Sequence, residues 1–348
     1  MWNFSSSTCQ LKNLSASSLL TCQLKTLSTR NMPLSPSLLK SSASRLGFAA
    51  CGVAPAAPVD EAVADKFRRW IAEGNHAGMA YLANNVEKRL DPTLLMEGAQ
   101  SVVSVALNYF PVQQLDAAKQ YEFAWYAYGQ DYHDVMKARL TALAEALVAD
   151  VEGDVHYRVF CDTAPVLERY WAWRCGLGWI GKNTQLIIPH AGSAFFLGEI
   201  IFDHPFTSYD EPQTSRCGTC TRCLDACPTG ALAEAYTLNA ARCLSYLTIE
   251  YRGDTLPAEA ARAMGNCVYG CDRCQQACPW MRFARPTDVA EFRPKPEFLR
   301  LDHAALQSLS IEDYRHIFRG SAIKRAKYEG LMRNVKSLRV GSTLNFEP

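Results

Sequence analysis

Cys217-Gly218-Thr219-Cys220-Thr221-Arg222-Cys223-Leu224-Asp225-Ala226-Cys227-Pro228 places four cysteines in one loop-sized stretch, the last followed by proline. Cys271-Asp272-Arg273-Cys274-Gln275-Gln276-Ala277-Cys278-Pro279 repeats the later part of the pattern, and Cys243 stands between the two runs. Closely spaced cysteines can wrap one face of a cubane, while the cysteine before proline reaches toward a second cluster. The crossed pattern assigns Cys217, Cys220, Cys223 and Cys278 to one [4Fe–4S] cluster and Cys227, Cys243, Cys271 and Cys274 to another. Zinc in four-cysteine sites is the alternative, but zinc has no need of two complementary Cys-Pro endings. Cys267 is left as a non-ligand beside the second cluster, because eight ligands are already assigned. Cys51, Cys161 and Cys175 lie in apolar surroundings and read as small hydrophobes.

The rest of the chain sets the context for this module. Its 348 residues suffice for two domains and a sizeable core. Fourteen cysteines in a chain this long do not suit a disulfide scaffold, which is typical of short secreted proteins. They point to a reducing compartment, and a cytoplasmic location is expected. The sequence has no apolar run long enough for a membrane-spanning helix. A net charge of +1 excludes a globally basic nucleic-acid binder but leaves room for a local basic patch. The first acidic residue is Asp60, and the serine-rich start resembles an organellar transit peptide. A misassigned start, with translation beginning near Met32, is the other reading, and residues 1–33 are excluded from the fold on either.

Working outward, Val63, Phe67, Trp70 and Ile71 have helical spacing between Asp60 and Gly74. Ser101–Leu107 and His156–Phe160 read as strands, and Asp134–Val148 as a helix. Thr163-Ala164-Pro165 predicts the opening of a helix that ends before Gly176. Leu186–Pro189 and Phe195–Phe202 are expected to pair around Ala191-Gly192-Ser193. The alternation predicts an α/β (α+β) domain over residues 34–205. A ferredoxin-like two-cluster domain follows over 206–285, and a helical basic tail over 286–348. Gly176-Leu177-Gly178-Trp179-Ile180-Gly181-Lys182 looks only loosely like a phosphate loop, since it lacks that motif's ending.

Clusters alone move single electrons, so the α/β domain must supply a substrate site or another cofactor. Asp162 falls just past the strand His156–Phe160, where open α/β sheets place ligands. A cap for the helix at Pro165 is its simpler reading. Asp131-Tyr132-His133 begins like a cobalt-ligating motif, but Met136 occupies the position of its glycine, so His133 is read as a packing or hydrogen-bonding residue.

Five stretches carry a family resemblance. They are Gly129-Gln130-Asp131-Tyr132-His133, Asp162-Thr163-Ala164-Pro165-Val166-Leu167-Glu168-Arg169, Gly176–Asn183, the crossed cysteines, and Gly320-Ser321-Ala322-Ile323-Lys324-Arg325. With them, roughly residues 34–338 resemble the epoxyqueuosine reductases, cobalamin and iron–sulfur enzymes that complete queuosine in certain tRNA anticodons. After Arg333-Asn334 the segment Gly341–Pro348 looks unrelated to the family.

The resemblance implies deoxygenation of an epoxide to an alkene at the wobble position. Electrons would pass from an external low-potential donor through two [4Fe–4S] clusters to cob(II)alamin. It makes Asp162 the general acid, and places Asp162, Arg89, Ala127, Leu186, Leu197 and Glu250 around the corrin. A helix N-terminus would favour the carboxylate form of Asp162, whereas burial against the corrin would favour the acid. Lys324, Arg325 and Lys327 of the basic tail suit tRNA phosphates, unless they form an ordinary solvated helix face. A monomer without membrane attachment is expected. Two alternatives remain at this point: a reductive dehalogenase-like enzyme, whose usual twin-Arg export signal has no counterpart here, and a plain ferredoxin-type electron-transfer protein.

Overall fold

A computed structural model describes residues 33–343. Most of the leader, with Cys9 and Cys22, and the last five residues lie outside the described residues. The central element is a four-stranded sheet of β1 (Ala50–Pro55), β2 (Ser101–Asn108), β7 (Phe195–Phe202) and β4 (Tyr157–Phe160), in the order β1-β2-β7-β4. Every neighbouring pair in it is antiparallel. The domain is therefore of the α+β kind, and the rule for parallel sheets that first drew attention to Asp162 does not apply.

Both faces of the sheet are covered, which is why β2 is apolar almost without a break. Val103, Val105 and Leu107 face one core with Leu39 of α1 (Pro36–Arg45) and Leu140 and Leu143 of α3 (Tyr132–Val148). Val102 and Ala106 face the other with Ala64 of α2 (Glu61–Ala72) and Tyr170 and Trp171 of α4 (Glu168–Arg174). This is the period-two alternation of a strand buried on both sides.

Two local expectations are corrected. Helix α4 begins at Glu168, three residues after Pro165. Proline disfavours helical geometry in the residue before it, and two tight turns, Thr163 N–H to Cys161 O and Val166 N–H to Ala164 O, occupy the intervening chain. Leu186 and Phe195 also do not begin one hairpin. Short β6 (Leu186–Ile187) pairs with β5 (Trp179–Ile180), whereas β7 pairs with β2 and β4. Gly178, in the glycine-rich stretch, lies where an added Cβ would come 2.1 Å from the carbonyl oxygen of Ile187. Close packing of backbone on backbone, not phosphate binding, thus accounts for that glycine.

A third core joins distant segments. Tyr121, Phe123 of β3 (Glu122–Phe123) and Trp125 meet Leu244 and Leu247 of α5 (Leu244–Ile249), Val268 and Tyr269 of β8 (Cys267–Tyr269), and Phe298, Phe318, Leu331 and Val335. Its polar keystone is Asn334 of α6 (Lys327–Thr343), which donates to Thr248 O at 2.8 Å and Val268 O at 2.9 Å. The C-terminal helix is thereby part of the packed interior.

Candidate active site

Asp162 does not cap α4. It adopts a left-handed backbone, φ 56°, and its N–H donates to Glu168 at the first turn of that helix. Its carboxylate turns toward the start of α3. There it accepts from the Tyr132 hydroxyl and lies 3.4 Å from His133 Nε2. The other ring nitrogen of His133 lies 2.6 Å from Asp131. One histidine thus bridges two carboxylates. Tyr132 is held by its stack on Phe196, with ring centroids 4.3 Å apart.

These contacts set the charges. The hydrogen bond from His133 outweighs desolvation and, with that from Tyr132, holds the Asp162 carboxyl below its ordinary range. The hydrogen bonds to Asp131 and Asp162 raise His133 to about 9. The Asp162 side chain keeps 58 % of its surface accessible although protein surrounds it on most sides. It therefore lies in an open concavity and not in the packed interior.

Behind it stands a second acid. Burial, and then the charge of Asp162, raise Glu168 to about 7. Glu199, fully buried in β7, takes a hydrogen bond from Ser104 at 3.1 Å and leaves its other oxygen unpartnered. Burial and the charge of Glu168 push Glu199 well up, so it is held neutral. Sequence reasoning missed the roles of Tyr132, Glu168 and Glu199. For Glu199 the available signal was an acid inside the apolar run Phe195–Phe202.

Thiols assigned to the same crossed set stand within electrostatic reach of one another. Cys278 feels the charges of Cys217 and Cys220, and Cys223 those of Cys278 and Cys217. Cys274 feels those of Cys271, Cys243 and Cys227. The twelve described cysteines are free thiols. Among the described residues no three metal-binding side chains converge on one ion. A four-iron cubane takes one thiolate at each corner, and two sets of four free thiols are the donor chemistry that two such clusters need. Cys267 Sγ lies 2.5 Å from the Gly270 carbonyl oxygen and also within hydrogen-bond reach of the Cys271 thiol.

The remaining expected residues differ in surroundings. Arg89 is 8 % exposed and donates to Tyr81 O at 3.2 Å, but its Nε–H is buried without a partner. An unsatisfied donor of this kind suits an acceptor such as a corrin amide. Leu186 and Leu197 belong to the same side of the sheet as α4. Ala127 is packed into the third core, its carbonyl accepting from Ser321. Glu250 binds Arg325 through both oxygens, at 2.7 and 3.0 Å. Lys324 lies within electrostatic reach of Asp131. Lys327 lines a cleft of about 450 Å³ with Arg252, Arg333 and Lys336. The loop before Lys324 is fixed to the site, since Asp131 N–H donates to Gly320 O at 2.7 Å.

A ferredoxin-type thiol module docked on a sheet domain that carries an Asp–His–Asp cluster defines an iron–sulfur redox enzyme. The family model described as "Epoxyqueuosine reductase QueG, DUF1730" matches residues 89–163, and that described as "4Fe-4S double cluster binding domain" matches residues 216–281. The chain belongs to the epoxyqueuosine reductase family of oxidoreductases, as its similarity to curated members shows.

It is 45 % identical over 300 residues to an epoxyqueuosine reductase of Cyclobacterium marinum, covering 86 % of this chain and 94 % of the relative. The Pseudomonas aeruginosa enzyme is 42 % identical, with coverages of 77 % and 75 %. A solved epoxyqueuosine reductase with a tRNA-Tyr epoxyqueuosine-modified stem loop superposes with a TM-score of 0.80 at 30 % identity. That match covers 92 % of this chain and 82 % of the other. A Bacillus subtilis enzyme, solved with a catalytic Asp loop swung out of its active site, gives 0.76 at 30 % identity, with the same coverages. No described helix is long and apolar enough to cross a membrane.

Proposed function

We propose that this chain reduces the epoxide of epoxyqueuosine to the alkene at the wobble position of a tRNA anticodon, with Asp162 delivering the proton to the departing oxygen. The carrying observation is the His133-bridged pair of carboxylates at an open concavity, on a chain that belongs to this family. A tRNA stem loop bound to a solved relative, and an Asp-bearing loop named as catalytic in another, support the reading.

Bound cofactors would supply the electrons: two [4Fe–4S] clusters relaying them singly and cobalamin bringing them to the substrate carbon. The clusters would be held by Cys217, Cys220, Cys223 and Cys278, and by Cys227, Cys243, Cys271 and Cys274. Cobalamin would lie by Arg89, Ala127, Leu186, Leu197 and Glu250, with the orphaned Arg89 donor satisfied by an amide oxygen.

Near pH 7 the proton rests on His133 and Asp162 is an anion. When substrate covers the concavity, loss of water raises the Asp162 carboxyl. One proton then passes from His133 through Asp162 to the epoxide oxygen while Asp131 keeps the ring aligned, and with a second proton from solvent and the two electrons the oxygen leaves as water. Glu168 holds the backbone of Asp162 in its left-handed turn. Lys324 and Lys327 would meet phosphates flanking the splayed wobble base.

The experiment is anaerobic single turnover with epoxyqueuosine-containing tRNA, with and without added cobalamin. Alkene formation that requires the corrin is expected. Conversion that ignores cobalamin, or zinc in place of iron, would overturn the reading.

A further inference from the structure

Three consecutive residues at the turn between β5 and β6 tie together parts of the protein that electron transfer must keep in register. Lys182 donates to Gly218 O at 2.7 Å and Cys220 O at 3.0 Å, in the loop that carries the first three cysteines. Asn183, buried at 3 % exposure, donates to Cys274 O at 3.2 Å in the second cysteine run. Thr184 offers its carbonyl to Arg169 of α4 at 2.9 Å, one residue from Glu168 and the Asp162 turn. The same turn is backed by Trp179, which meets Trp280 edge to face at 4.8 Å just after Cys278-Pro279.

The two cysteine loops are held by side chains of different charge, and Arg273 places a further cation beside Cys271 of the second run. Lys182 is half-buried and has no carboxylate partner among the described ion pairs. Asn183 performs the equivalent task as a neutral amide. A partly desolvated ammonium without a counter-ion is unfavourable unless negative charge stands near it. A cubane with four thiolates provides that charge and gains one more negative unit when it takes up an electron. Reduction potentials of such clusters respond to nearby charge and hydrogen bonding.

We propose that Lys182 is a positioning and potential-setting residue: its ammonium raises the reduction potential of the cluster held by Cys217, Cys220, Cys223 and Cys278 above the value that cluster would have with an uncharged side chain in its place. The step concerned is uptake of one electron by that cluster from a low-potential donor, with no bond made and no proton moved. The inference rests on the cluster assignment proposed above.

The test is a potentiometric titration of anaerobically purified holoenzyme with dithionite, followed by electron paramagnetic resonance, with iron counted in each sample. Lys182→Gln, which keeps an N–H donor without charge, is expected to move one of the two midpoints to lower potential and leave the other in place. Lys182→Arg, which keeps the charge, is expected to leave both near wild type. Unchanged midpoints in Lys182→Gln at full iron content would overturn the proposal, as would equal shifts in both variants. If Lys182→Gln loses one cluster, retention of that cluster by Lys182→Arg supports the charge role and its loss refutes it. Wild-type protein without iron would instead refute the cluster assignment.

Discussion

Replacing His133 by glutamine keeps a side chain that can hydrogen-bond a carboxylate and removes the ring that can hold a proton between Asp131 and Asp162. With His133 at about 9, the wild-type ring at pH 7 is protonated about a hundred to one. The rise from the ordinary 6.5 would correspond to about 3 kcal/mol. With 35 % of the side chain accessible, screening reduces this to roughly 1–2 kcal/mol. The sign follows from the direction of the rise. The contribution is complete below 6.5 and disappears as pH climbs through about 9. Asp131 and Asp162, both held low, contribute above their ordinary 3.8 and lose that contribution as the pH falls through their lowered values. The assay is single turnover of epoxyqueuosine-containing tRNA from pH 6 to 10, with iron and cobalt measured throughout. Wild type should hold a plateau to pH 8 and decline above about 9. His133→Gln should be slower by about 10²–10³, within the range for losing acid catalysis, and should lack that alkaline limb. A wild-type rate, or an unchanged alkaline limb, would refute the proton store.

Glu168→Gln should remove the loss of thermal stability that wild type shows as pH rises from 4.5 through about 7, since a carboxyl raised by burial destabilises the fold once ionised. Parallel melting-temperature profiles would contradict this. Lys324→Ala and Lys327→Ala should each flatten the salt dependence of tRNA binding by about one in the log–log slope. Arg325→Ala should change it less, because Glu250 already occupies that guanidinium. Asn334→Leu leaves the carbonyls of Thr248 and Val268 without their donor, and should cost roughly 2–4 kcal/mol in denaturant unfolding of the holoprotein.

The cysteine runs were legible because a cubane imposes fixed short spacings on a single loop. Several thiols within each set assigned from spacing stand within electrostatic reach of one another. Strand β2 was legible because burial on both faces leaves an apolar run. The start of α4 was not, because Pro165 both favours a first helical turn and keeps Ala164 out of one, and tertiary contacts of the Asp162 turn decided between them. Strand direction was equally hidden, since alternating elements are compatible with parallel and antiparallel sheets. The link between Asp162 and His133 spans 29 positions in the chain and leaves no periodic trace. The family motifs marked both residues but not their contact.

The central claim is that Asp162 supplies the proton. Asp162→Asn preserves shape and removes the acid, so the decisive measurement is single-turnover conversion of epoxyqueuosine-containing tRNA by this variant, with iron and cobalt determined in the same sample. Conversion slowed by about 10²–10⁴, the range expected for a lost general acid, with both metals retained is the predicted result. Wild-type conversion would contradict the claim, and loss of cobalt together with activity would make Asp162 a cofactor-binding residue.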